Sequence, residues 1–267
     1  MRPDNRPTGR FLLGCLGAVL ILLGALVLSA CGGGGKEEQA AEDKAPGAAA
    51  VVGTPEPGAA VVTTAPADAF AKLQSYRVIM HFVLEDTATE TPGTLSLDLE
   101  GSYVAPDRSQ IRVSAHQGDL QLEEESIAIG GQTWVKTGGT WVEGEAEFQL
   151  SDFSPASLLG ELGPEQLRLL KPSKETINGV DTLRYNVGRA DIETLRALGS
   201  LLDQDGGLEN LPEEFNVGLW LAEDGGWPVR ITMTTRGATN SGEEVNLDFS
   251  MDITDVNNPG IQIEAPA

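Results

Sequence analysis

From Tyr76 onward the chain alternates apolar and polar positions with a period of two. Tyr76, Val78, Met80, Phe82 and Leu84 fall on one face, with Arg77, His81 and Glu85 on the other. Leu95, Leu97 and Leu99 alternate with Ser96, Asp98 and Glu100, and Ile111 and Val113 flank Arg112. The pattern returns at Leu183, Tyr185 and Val187, at Val217, Leu219 and Leu221, and at Val229, Ile231 and Met233. It is cleanest at Val245, Leu247, Phe249, Met251 and Ile253, interleaved with Asn246, Asp248, Ser250, Asp252 and Thr254. Such alternation predicts strands with one greasy and one wet face. Gly138-Gly139 between two Trp-Val pairs, and Asp224-Gly225-Gly226 between Leu221 and Val229, are short reversals of the kind that join antiparallel neighbours. An antiparallel sheet can leave one face in water, as this alternation demands.

A short helix leads into the strands, and the greasy face needs a cover, which two later helical stretches supply. A short helix is predicted from Ala67 to Gln74, with Phe70 and Leu73 on one side. A second runs from about Pro155 to Leu170, interrupted at Gly163-Pro164, with Leu158, Leu159, Leu162, Leu167 and Leu170. A third runs from about Ala190 to Leu202, where Ile192, Leu195, Leu198 and Leu202 recur every three or four residues. Strands, a helical insert and strands again predict an α+β domain over 67–267: a curved antiparallel sheet, or half-barrel, with helices on its concave face.

The N-terminus reads differently. Arg2, Arg6 and Arg10 precede a run from Phe11 to Val27 in which every residue is apolar, Gly or Cys, and then come Leu28-Ser29-Ala30-Cys31. A basic head, an apolar run and small residues at the cut site are the three parts of a secretory signal. L-S-A-C resembles the bacterial lipobox at all four positions, which assigns residues 1–30 to a lipoprotein signal peptide and Cys31 to acylation. Residues 11–30 are long enough to span a bilayer instead, but Gly32 to Gly35 make a poor interfacial anchor. Leu12-Leu13-Gly14-Cys15 also looks like a lipobox, but almost no apolar segment precedes it. With Gly at position 32, the Asp that commonly retains lipoproteins at the inner membrane is absent.

Residues 32–66 contain 7 Gly, 9 Ala and 4 Pro and no aromatic residue. They carry too little apolar surface to offset chain entropy, so 31–66 is expected to be a lipidated cysteine followed by a disordered tether. With Cys15 removed and Cys31 acylated, the mature chain has no disulfide, and its domain must be held by the core alone. Loss of the signal takes three Arg and one Asp from the 18 basic and 40 acidic residues, leaving a net charge of −24. A surface so acidic repels phosphate backbones and anionic headgroups, which excludes nucleic acid as a partner and makes a covalent membrane anchor the more necessary.

No catalytic or metal-binding constellation stands out, and no cofactor is implied. His81 belongs to the wet face of a strand and His116 to a predicted loop, with no G-x-S-x-G and no H-E-x-x-H in the chain. Asp203-Gln204-Asp205-Gly206 with Glu214 has the outline of a calcium loop but departs from it at Gly207, Leu208 and Pro212. Glu123-Glu124-Glu125 is read as a solvated strand edge. Trp134, Trp141, Trp220 and Trp227 suit hairpin packing or the rim of a partly wet opening.

In order, the short first helix, the I-A-I-G-G-Q-T-W-V-K-T-G-G-T-W-V-E hairpin (127–143), F-S-P-A-S-L-L (153–159), N-G-V-D-T-L-R-Y (178–185), L-W-L-A-E-D-G-G-W-P-V-R-I (219–231) and D-V-N-N-P-G-I-Q-I-E-A-P (255–266) resemble the LolA-like half-barrel lipoproteins, in particular the LppX/LprG group. The resemblance covers about residues 67–265. It implies an apolar cavity between sheet and helices that takes up acyl chains of a lipid or lipoprotein, and no catalysis. The chain departs from some members in having no evident basic cluster to meet an anionic headgroup. On this reading the cargo lies between the sheet residues Val78, Met80, Phe82, Leu97, Leu99, Leu247, Phe249 and Met251 and the helix residues Leu158, Leu159, Leu195 and Leu198. The protein is then a monomer on the outer face of an envelope membrane, not an enzyme. The alternative is an interaction or sensory module with the same fold and a filled core.

Overall fold

The computed structural model describes residues 62–86, 93–160, 162–191, 212, 214–238 and 244–266. Cys31 and the signal before it, the third expected helix with Leu195 and Leu198, and most of the calcium-like loop lie outside the described residues.

The strands are β1 (Ser75–Asp86), β2 (Gly93–Val104), β3 (Arg108–Gln117), β4 (Leu120–Ile129), β5 (Gln132–Thr137), β6 (Thr140–Glu143), β7 (Ser173–Ile177), β8 (Val180–Gly188), β9 (Glu214–Ala222), β10 (Pro228–Arg236) and β11 (Val245–Thr254). The helices are α1 (Pro66–Phe70), α2 (Pro155–Leu159) and α3 (Pro164–Leu167), with a 3₁₀ turn at Leu150–Phe153. All eleven strands form one open sheet in the order β6-β5-β4-β3-β2-β1-β11-β10-β9-β8-β7. Two antiparallel meanders, β1 to β6 and β7 to β11, are therefore joined by pairing the first strand with the last, and the sheet is a half-barrel that does not close.

Register turns the alternation into layers. Ala115, Leu97, Phe82, Phe249, Met233, Val217 and Val187 lie side by side across seven strands. Val113, Leu99, Met80, Met251, Ile231, Leu219 and Tyr185 form the next layer. All fourteen are buried. The predicted alternation fails at one place: a bulge between Pro228 and Arg230 sends Val229 to the opposite face from Ile231. There it joins Ile177, Trp220 and Ala222 in a small outer cluster. Gly138 and Gly139 take φ of 58° and 85°, the left-handed pair that a two-residue hairpin requires.

The edges are β6 and β7, which are successive in the chain. Residues 144–172 must therefore cross the whole sheet, and they do so over its apolar face. Phe148, Leu150, Phe153, Leu159, Leu162, Leu167 and Leu170 from this crossing are all buried in the core. Ser154 caps α2 by accepting from the Ala156 N–H at 3.2 Å, and Pro155 opens it. Gly160, with φ 51°, ends it after five residues. The expected helix 155–170 is thus two short ones, and α1 stops at Phe70 instead of Gln74. Packing also begins at Val62, which is buried beside the β9–β10 turn at Gly226.

Two contacts fix the crossing to the sheet. Gly101 occupies an inner position of β2, where an added Cβ would sit 2.7 Å from Leu150 Cδ1 and 2.9 Å from Val78 Cγ1. Leu150 is seated in the gap this glycine leaves. Glu124 of β4 points inward and is buried, and its carboxylate accepts from the N–H of Glu147 at 3.1 Å and of Phe148 at 3.2 Å. This corrects the solvated-edge reading of Glu123-Glu124-Glu125. β3 pairs along this stretch of β4 while the β5 ladder covers only Ser126–Ile129, and period two turns the middle residue inward, level with Val113, and leaves its two neighbours outward. Glu125 faces outward, where its bond to Lys136 at 2.7 Å holds its carboxyl below the usual range. Burial pushes the Glu124 carboxyl up, against the lowering effect of the two N–H donors, and the nearby Glu147 charge adds to the rise.

A carboxyl raised in this way binds its proton more tightly in the folded protein than in the unfolded chain. It therefore adds stability as pH falls from neutrality through its raised value to the ordinary glutamate range, and that increment is lost as pH rises again. Relative to Glu124→Gln, wild type should gain in melting temperature across that window; a parallel pH course for the two proteins would contradict the assignment. Glu124→Ala strands two buried N–H groups and should cost about 1–3 kcal/mol in denaturant unfolding. Gly101→Ala overpacks against Leu150 and should also cost about 1–3 kcal/mol. Its effect should be less than additive with Leu150→Ala in a double-mutant cycle.

Candidate functional site

Beside this crossing the inner face is not filled. The inner positions of β3, β4 and β5 are small toward one end of the sheet: Ser109, Ala128 and Thr133 are level with Tyr103 and Tyr76, and Ser126 is level with Ile111, Gly101 and Val78. The result is a cleft of about 440 Å³, open to solvent on one side. Its floor is Ile111, Ser126 and Ala128, one wall is Phe70, Leu73 and Tyr76, and the facing wall is Ala146, Phe148 and Leu150. Glu124 anchors that second wall through the two N–H bonds described above.

The first wall is aromatic and rigid. Tyr76 and Tyr103 are register partners on β1 and β2, stacked with centroids 5.1 Å apart, and Phe70 meets Tyr76 at 4.7 Å. The Tyr103 hydroxyl donates to the Pro106 carbonyl at 2.9 Å, which holds its ring at the mouth. Burial, with Tyr103 adding to it, raises the Tyr76 phenol far above its ordinary value, so this wall stays neutral. The rim carries Asp107 from the β2–β3 turn and Arg108, the first residue of β3, and the Arg108 guanidinium donates to the Ile263 carbonyl at 3.0 Å.

The cleft lies at the end of the sheet where β1 begins, β2 turns into β3 and β4 turns into β5. The β9–β10 turn is at this same end, and Val62 packs against it. Val62, where the described residues begin, thus lies at the end of the sheet that holds the cleft.

Of the residues expected to line a cargo site, Val78, Met80, Phe82, Leu97, Leu99, Leu247, Phe249 and Met251 do share one face, and all are buried in the central core. Leu159 is buried and Leu158 half-buried against them. These ten lie beyond Leu150 from the cleft and do not line it. The cleft residues went unrecognised because small inner residues make a weak sequence signal; the drop to Ser126, Ala128 and Thr133 was the available clue. The tryptophans lie elsewhere. Trp220 faces outward across Gly218, its Nε1–H donating to Glu175 at 2.9 Å, with the Arg184 guanidinium 4.9 Å from its ring. Trp141 packs under the Lys136 ammonium on the outer hairpin, and Trp227 sits at the β9–β10 turn. The aromatic residues that line the cleft are Phe70, Tyr76, Tyr103 and Phe148.

His81 is exposed on the outer face and pairs with Asp98 of β2. His116 lies in β3 and not in a loop, because the alternation of that strand continues to Gln117; its Nε2 is 3.2 Å from Ser114 Oγ. Among the described residues no group of three or more His, Cys, Asp or Glu is placed to hold a metal.

No protein-family model matches the chain, and no curated protein matches it. Solved structures similar to it include LprF from Mycobacterium bovis, 16% identical over 76% of this chain and 94% of that one, with a TM-score of 0.41. They also include a LolA superfamily protein from Nitrosomonas europaea, 12% identical over 73% and 95%, with a TM-score of 0.25. A third is the Pseudomonas aeruginosa MucA/MucB complex, 14% identical over 76% of this chain and 56% of that one, with a TM-score of 0.26. The half-barrel fold rests on the strand order and register given above.

Proposed function

We propose that this chain is a lipid-anchored envelope protein that binds an acyl chain of a lipid or lipidated cargo. The observation that carries the reading is the cleft: about 440 Å³, with aromatic and aliphatic residues on both walls, polar residues among them, and Val62 at the same end of the sheet. That volume is within the range of small-molecule sites. Each buried methylene contributes about 0.8 kcal/mol, so a chain of about ten gains roughly 8 kcal/mol before ordering costs. The anchor and a flexible tether would keep the opening within reach of a bilayer, at an r.m.s. span of about 30 Å for some thirty residues. The acidic surface would prevent flat adsorption while leaving the apolar cleft free to exchange cargo.

A longer chain would extend from the cleft past Leu150 onto the inner face. Val78, Met80, Phe82, Leu97, Leu99, Leu247, Phe249 and Met251 would form its bed, and Leu158, Leu159, Leu195 and Leu198 its cover. No catalytic step is assigned; the site acts by burial.

The test uses residues 31–267 carrying Cys31→Ser and a fluorescent fatty acyl probe. Ala128→Phe fills the floor of the cleft and should reduce uptake about tenfold or more, the loss of roughly 1.4 kcal/mol, with little change in melting temperature. Phe249→Ala should cost about 3–5 kcal/mol of stability if it is packed core, and less if it lines a bed already open. Absence of uptake by the parent protein would favour an interaction module with a filled core. In the native host, Cys31→Ser in the full precursor should block acylation and leave the signal uncleaved, read by mass spectrometry; maturation at the same bond would refute the lipobox.

A further inference from the structure

The rim of the cleft carries two opposite charges that the rest of the fold leaves unspent. Arg77, Arg112, Arg168, Arg184, Arg230 and Arg236 each meet a carboxylate, at distances from 2.5 to 3.6 Å. Arg108 meets none among the described residues; its one protein bond is the 3.0 Å donation to the Ile263 carbonyl. A guanidinium has five N–H donors in a fixed fork suited to phosphate, so Arg108 keeps donor capacity at the opening. Asp107, the residue before it, is exposed, lines the same cleft and has no cationic partner among the described residues. The two side chains do not pair with each other within 4.0 Å.

A headgroup with a single negative charge would find Arg108 but also the Asp107 carboxylate and the field of a chain at −22. A neutral headgroup would use neither. A headgroup bearing both a phosphate and a primary ammonium would satisfy both charges at once and carry no net charge against that field. The whole cleft, at about 440 Å³, suits one chain better than two. Resting on the acyl-binding reading above, we infer that the cleft selects a single-chain zwitterionic amphiphile, its phosphate on Arg108 and its ammonium on Asp107.

The experiment measures binding of lysophosphatidylethanolamine, lysophosphatidylglycerol and monoacylglycerol of equal chain length, below their micelle concentrations, to residues 31–267 with Cys31→Ser. The zwitterion should bind roughly fivefold tighter than either of the others, the size of one exposed charge pair. Arg108→Gln should remove its advantage over monoacylglycerol. Asp107→Asn should remove its advantage over lysophosphatidylglycerol. Glycerophosphoethanolamine, the headgroup without a chain, should not compete at the same concentrations, which separates an amphiphile site from a free-phosphate site. Equal affinity of the parent protein for all three lipids, or an unchanged order in both variants, overturns this inference while leaving acyl binding intact. Failure of all three to bind overturns both. Melting curves of each variant guard against misfolding, and the parent's order of preference stands whether or not Arg108→Gln folds.

Discussion

An open sheet with one apolar face has to be covered by its own chain, and in this protein the cover is set by connectivity. Strands β6 and β7 are consecutive in sequence and lie at opposite edges of the eleven-stranded sheet. The segment between them must run from one edge to the other. On the wet face it would expose its leucines and phenylalanines and leave the core open; over the apolar face it satisfies both needs. Burial of Phe148, Leu150, Phe153, Leu159, Leu162, Leu167 and Leu170 follows from that single route.

The cleft is a consequence of how this cover is held. Leu150 can approach the sheet because Gly101 has no Cβ there, and the backbone at Glu147 and Phe148 is tied down by the Glu124 carboxylate. Between these fixed points and the Tyr76–Tyr103 stack, the small inner residues of β3, β4 and β5 leave the space unfilled. Glu124 is costly to bury, yet removing it would release the wall that shapes the cavity. A buried carboxylate whose desolvation is offset by two backbone donors, and which thereby fixes one wall of a cavity, is what a binding site asks of its scaffold.

Much of this was legible in the sequence. Period-two alternation gave the central strands and their inner faces, because each strand there has one dry and one wet side. It misled at Val229, where a bulge reverses the face; at Glu124 it was the run of three charges that suggested a solvated edge, whereas the inward carboxylate finds backbone donors that only the crossing brings near. His116 was read as loop because the Gly118 turn follows so closely, yet the β3–β4 ladder runs to its last residue. Helix lengths were overestimated because leucine spacing continues through Gly160, whose positive φ ends α2. The cleft itself was illegible for a simple reason. Cavities are made by what is missing, and Ser126, Ala128 and Thr133 look like unremarkable strand residues until the neighbouring walls are in place.

In the proposed function acyl cargo enters beside the aromatic wall, at the end of the sheet where β1 begins. A fatty acid carrying a photoactivatable group at its terminal carbon, irradiated in complex with residues 31–267 bearing Cys31→Ser, tests this most directly by peptide mass spectrometry. The account predicts cross-links to peptides containing Tyr103–Ile111, Ser126–Thr133 and Ala146–Ala156. Cross-links confined to the outer face, around Trp220 or His81, would contradict it.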